Sequence, residues 1–99
     1  MSRILVLDDD AEVRGFIRDQ LLACRHEVAE ATVSWTAIAR FDSFQPDVVV
    51  CDTGPLGAHS LSIVQAMAGR NPAMRLVALG QQGADEVSLY LRRELAAVA

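Results

Sequence analysis

Three short apolar runs constrain this chain more than any other feature. Ile4–Leu7 (ILVL), Asp47–Cys51 (DVVVC) and Arg75–Leu79 (RLVAL) each hold consecutive aliphatic residues with no polar alternation. That pattern belongs to strands buried on both faces. A sheet covered on both faces needs helices on each side, and the intervening segments supply them. Val13, Phe16, Ile17, Leu21 and Cys24 recur at helical spacing over Ala11–Cys24, with Asp10 placed to cap the start and Glu12 to favour the dipole. Ser34–Phe44 carries Trp35, Ile38 and Phe41 on one helical face, and Ser60–Ala68 carries Leu61, Val64 and Met67. Gln45-Pro46 and Asn71-Pro72 end these units. Glu27–Thr32 (EVAEAT) is a weaker strand signal.

Strand and helix therefore alternate without a hairpin signal. The expected fold is α/β, a doubly wound parallel sheet joined by right-handed crossovers. Residues 1–99 are expected to form a single domain with no output domain, because 99 residues hold one small core. From Ala84 to Ala99, Val87, Leu91, Leu95 and Val98 fit a helix. Val87, Leu89 and Leu91 also alternate with polar neighbours, so a strand over 86–91 is the alternative.

Sites in open parallel sheets lie at the carboxyl ends of the strands. Two of the strong strands end there in acids: Leu7 runs into Asp8 and Asp9, and Cys51 runs into Asp52. If those strands are neighbours, three carboxylates converge, and their repulsion calls for a cation. An all-oxygen set with room for water suits Mg²⁺. A carboxylate beside Mg²⁺ can attack phosphorus, and Asp52, alone on its strand, is the candidate nucleophile. Helix capping and loop solubility are the competing roles for such acids, and Asp10 fits a cap.

Composition narrows the function further. Hydrophobic residues make up 52% and charged residues 22%, a globular balance. The net charge of −4 and the scattered cations argue against nucleic-acid binding. All nine cations are arginine; the chain has no lysine. Cys24 and Cys51 lie in apolar stretches and read as buried thiols rather than a disulfide. Only four apolar residues precede the Asp8-Asp9-Asp10 run, too few for a signal segment, and no run reaches membrane length, so a cytoplasmic location is expected.

The stretches RILVLDDDAEVRGFIRDQLL, HEVAEAT and PDVVVCD resemble the receiver domains of two-component response regulators, in order from residue 3 to about residue 80. The resemblance implies a five-stranded parallel sheet of order 2-1-3-4-5. It makes Asp52 the phosphoacceptor, Asp8 and Asp9 the acidic pair for Mg²⁺, and the backbone carbonyl of Gly54 a further metal ligand. It implies a sensor histidine kinase or phosphotransfer protein as phosphodonor.

The departures are informative. The family's fourth strand ends in Thr or Ser, whose hydroxyl bonds the phosphate; here Leu79 is followed by Gly80. The fifth strand should end in Lys-Pro, and there is no lysine; Arg92 and Arg93 do not replace an ammonium in a compact site. Pro55 lies one place early, Ser60 replaces a usual glycine, and Arg25 stands where glycine commonly ends the first helix. The tail is too short for a normal fifth strand-helix unit. A sheet stopping at the fourth strand would leave an apolar edge, so a homodimer or a partner is expected to contact residues 75–99, with Leu89, Tyr90 and Leu91 foremost.

Three functions compete. The first is an atypical stand-alone receiver, phosphorylated on Asp52 with Mg²⁺ and acting through protein contacts; the second is a phosphorylation-independent dimerisation or interaction module. The third, an aspartic protease suggested by Asp52-Thr53-Gly54, needs an all-β body, and Pro55 sits where that motif takes a small residue. A haloacid-type phosphatase lacks its second acid, since Gly54 occupies that position. His59 and His26 read as solvated, and Cys51 as core.

Overall fold

A computed structural model describes residues 2–52 and 57–79 of the 99-residue chain. In order, these form β1 (Arg3–Leu7), α1 (Ala11–Ala23), β2 (Glu27–Ala31), α2 (Thr36–Phe44), β3 (Val48–Asp52), α3 (Gly57–Arg70) and β4 (Arg75–Leu79). The sheet runs β2-β1-β3-β4 and every pairing is parallel. This is the expected doubly wound architecture, with β1 in the interior between β2 and β3. An all-β protease body is ruled out by the three helices and the parallel pairing. The tail beyond Leu79, including Gly80 and the segment 86–91 read as helix or strand, lies outside the described residues, as do Gly54 and Pro55, so the expectation about a fifth strand-helix unit falls there too.

The period-two geometry of strands divides the apolar runs between two cores. Ile4, Val6, Val48, Val50 and Val77 pack on one face with Ile17 and Leu21 of α1. Leu5, Leu7, Val49 and Cys51 pack on the other with Ala37 and Phe41 of α2 and Ile63, Val64 and Met67 of α3. Continuous hydrophobicity in β1 and β3 follows from this, because both sides of each strand are dry.

The helix ends explain most of the differences from the sequence expectation. Asp10 caps α1 as expected, its Oδ1 accepting from the amides of Glu12 at 2.9 Å and Val13 at 3.4 Å. Arg25 follows α1 with φ 66°, and Gln45 follows α2 with φ 53°; both occupy the left-handed region that favours glycine. Helix α2 begins at Thr36, so Trp35 precedes it instead of joining its inner face, and is 57% exposed. Cys24, just past the end of α1, is exposed, whereas Cys51 is buried, and both are free thiols. Helix α3 extends beyond the expected Ser60–Ala68 at both ends.

The amino-terminal edge of the sheet is fastened by Arg3. Its guanidinium donates to the Phe44 carbonyl from Nε at 3.0 Å and Nη2 at 2.6 Å, stacks 4.4 Å above the Phe44 ring and pairs with Glu27. Its amide donates to Asp47 Oδ2 at 3.1 Å. One residue thus ties β1 to β2, the end of α2 and the start of β3. Among the described residues no helix is long and apolar enough to cross a membrane.

Candidate functional site

The run Asp8-Asp9-Asp10 divides into three jobs at the carboxyl end of β1. Asp8 continues the strand by one residue: its amide donates to the Ala31 carbonyl at 3.2 Å. Its side chain is buried, at 4% exposure, and Oδ1 accepts from the Asp10 amide at 2.8 Å. A carboxylate taken out of water needs such donors or a cation to offset its lost hydration. Asp9 is exposed, and its Oδ1 accepts from the Val33 amide at 2.7 Å, reaching the segment between β2 and α2. Asp10 spends its carboxylate on the start of α1.

Arg14 supports the same corner from α1. Its Nη1 donates to the Asp8 carbonyl at 2.7 Å, and its Nε lies 3.4 Å from Glu30 Oε1 on β2. Glu30 Oε2 also pairs with Arg18 Nη1 at 3.1 Å. Asp19 and then Glu30 hold the exposed Arg18 guanidinium above its already high pKa. Sequence reasoning did not single out Arg14 or Val33 for the site. Arg14 lies four residues after the cap Asp10, and so one helical turn above the acids; that spacing was the available signal. Val33 acts through its backbone, so no side-chain signal exists for it.

Strand register sets the relation between the acids of β1 and β3. Leu7 pairs with Cys51 and Val6 with Val50, so Asp8 and Asp52 each stand one residue farther on along adjacent parallel strands. Such strands are about 4.8 Å apart. On the other side Asp52 pairs with Leu79, which puts Gly80 next in the chain at the same edge. The Asp52 side chain, Gly54 and His59 lie outside what the structure describes. Among the described residues, no group of three or more His, Cys, Asp or Glu side chains is arranged to hold a metal ion. The donors that β1 brings to this edge are all oxygen. They suit a hard cation such as Mg²⁺ and offer nothing to a thiophilic metal.

At the opposite end of the sheet, where α2 and α3 finish, Phe41, Asp42, Gln45, Arg70 and Asn71 line a cleft of about 400 Å³. Arg70 Nε lies 3.4 Å from Asp42 Oδ1 there. It is remote from the acids.

No family model matches the chain. A curated relative, the chemotaxis protein CheY of Thermotoga maritima, is 27% identical over 85 residues, spanning 82% of this chain and 71% of that protein. Among solved structures, the receiver domain of nitrogen regulatory protein C superposes with a TM-score of 0.74 at 17% identity, covering 97% of this chain and 95% of that one. The pseudo-receiver domain of CikA gives 0.64 at 20% identity, covering 97% and 98%. The response regulator PhyR of Brucella abortus gives 0.74 at 14% identity and covers 97% of this chain, which spans only 51% of PhyR.

Proposed function

From a chain with the fold of response-regulator receiver domains, we propose an atypical receiver acting in two-component phosphorelay signalling. A carboxylate oxygen of Asp52 attacks the phosphorus of a phosphohistidine on a sensor kinase or phosphotransfer protein. The phosphorus–nitrogen bond breaks, and the departing imidazole takes the electron pair and a proton from solvent. Asp8, Asp9, Asp52 and the Gly54 carbonyl hold Mg²⁺. When bound, that ion screens the charge between the anionic carboxylate and the anionic phosphoryl group. Asp8 is oriented by the Asp10 amide and Asp9 by the Val33 amide before any ligand arrives.

The observation that carries this reading is the β1–β3 register, which brings Asp8 and Asp52 to one level on neighbouring strands. Incubation with a small-molecule phosphodonor and Mg²⁺ tests it by intact-mass measurement. A gain of one phosphoryl group in wild type and none in Asp52→Ala is expected. No gain in wild type would sink it. The acyl phosphate should form slowly, because the chain has no lysine and Gly80, the residue after β4, has no hydroxyl to offer the phosphoryl oxygens.

The same two absences, with the likeness to a pseudo-receiver domain, favour a second reading. In it the chain is an interaction module that dimerises or binds a partner through residues 75–99 regardless of phosphate. Both readings make the protein a signalling module rather than an enzyme, with no nucleic-acid role, and the proposed phosphodonor places it in the cytoplasm.

A further inference from the structure

The hydrogen bond between Asp9 and Val33 joins the acid corner to the segment that leads into α2. The Asp9 carboxylate accepts from the Val33 amide at 2.7 Å, 24 residues away in sequence. That segment is tied together internally. The Ser34 amide donates to the Thr32 carbonyl at 2.9 Å, the hydroxyls of Thr32 and Ser34 lie 3.3 Å apart, and those of Ser34 and Thr36 lie 2.6 Å apart. The Ala37 amide donates to the Ser34 carbonyl at 3.0 Å, joining the segment to the first turn of α2. The Val33 side chain is buried against the same core as Ala37 and Phe41, while Trp35 projects from the segment into solvent.

We infer that the Val33 N–H is the positioning group for Asp9, so that cation binding at the acids and ordering of the 32–36 segment form one coupled equilibrium. This deepens the proposed Mg²⁺ site and rests on it. The Val33 bond uses Oδ1 and leaves Oδ2 of the same carboxylate for a cation. A hydrogen bond to one oxygen fixes the direction of the other. Loss of such supporting donors commonly weakens metal binding by about 10–100-fold. Coupling is reciprocal: whatever the Val33 bond adds to cation affinity, the cation returns to the segment that carries Trp35. Occupancy would therefore be expressed on the α2 side of the molecule, without a lysine and without a hydroxyl at position 80.

Titration calorimetry with Mg²⁺, followed in parallel by the emission of Trp35, the sole tryptophan, and by the Val33 amide resonance, tests this. Wild type should bind, shift Trp35 emission with the same midpoint, and gain hydrogen-exchange protection at Val33. Val33→Pro, which removes the donor, should bind about tenfold or more weaker. Val33→Ala, which keeps it, should bind as wild type. Asp9→Asn should lose the emission response. Equal affinity in Val33→Pro and wild type overturns the inference, as does calorimetric binding with no change at Val33 or Trp35. If Val33→Pro does not fold, protection at Val33 in wild type with and without Mg²⁺ decides. Absence of binding heat together with no Mg²⁺-dependent change in any amide resonance of wild type instead overturns the metal site itself, and the inference with it.

Discussion

At the scale of single residues, His26 shows how a half-buried contact fixes a protonation state. Its Nδ1 accepts from the Ser2 amide at 3.0 Å, which requires that nitrogen to be unprotonated. Burial, and secondarily the charge of the amino terminus, lowers the pKa from its ordinary 6.5. The folded state therefore binds this proton less readily than the unfolded chain. The resulting stability is present in full above pH 6.5 and is lost as pH falls through the lowered folded value. Urea unfolding of wild type should show its midpoint fall between about pH 7.5 and 5.5, the range where histidine titrates. His26→Phe should be less stable at neutral pH but flatter across that range. Parallel profiles for the two proteins would show that another group carries the dependence. The Arg14 contact with the Asp8 carbonyl belongs to this scale too: it is a long side chain doing the work of a backbone donor.

At the scale of elements, the strain lies at helix ends. Arg25 terminates α1 with φ 66°, a conformation that costs a residue with a Cβ roughly 1–2 kcal/mol relative to the right-handed region. Glycine escapes that cost but gives up roughly 0.5–1 kcal/mol in unfolded-chain entropy. Arg25→Gly should thus stabilise the protein by about 0.5–1 kcal/mol, read as a rise in the denaturation midpoint. A fall would mean that the Arg25 side chain contributes more than its backbone costs. β1 and β3 were legible in the sequence because both are dry on both faces, so burial alone writes their pattern; β4 carries the same apolar run although Leu76 is partly exposed. Asp10 was legible because a cap is a local device. Periodicity failed at helix margins: Val13 and Cys24 fit the α1 wheel yet are exposed, since the wheel says which way a residue points but not whether the sheet extends beneath it. Trp35 misled for a different reason, lying one residue before α2 begins. The position of Asp8 and Asp9 at the end of β1 was legible, while the contacts that Val33 makes with Asp9 and Arg14 with the Asp8 carbonyl were not.

At the scale of the whole molecule, the two cores are unequal in how they end at β4. Val77 is buried on the α1 face, but Leu76, level with Val49 on the α2–α3 face, is 40% exposed at the outer strand of the described sheet. If residues 75–99 form a homodimer, sedimentation should give twice the monomer mass for wild type and Asp52→Ala alike. Leu76→Glu should lower that mass toward the monomer. A monomeric wild type across the concentration range would remove the dimer from the second functional reading. The interior position of β1 has a further consequence, for synthesis. Arg3–Leu7 is made first, but one of its hydrogen-bonding edges is satisfied by residues 27–31 and the other by residues 48–51. The ribosome must deliver more than half the chain before the oldest strand has both partners. Until then a dry, adhesive ribbon is exposed, and slow translation before Cys51 would lengthen its exposure to chaperones and to misassociation with neighbouring nascent chains.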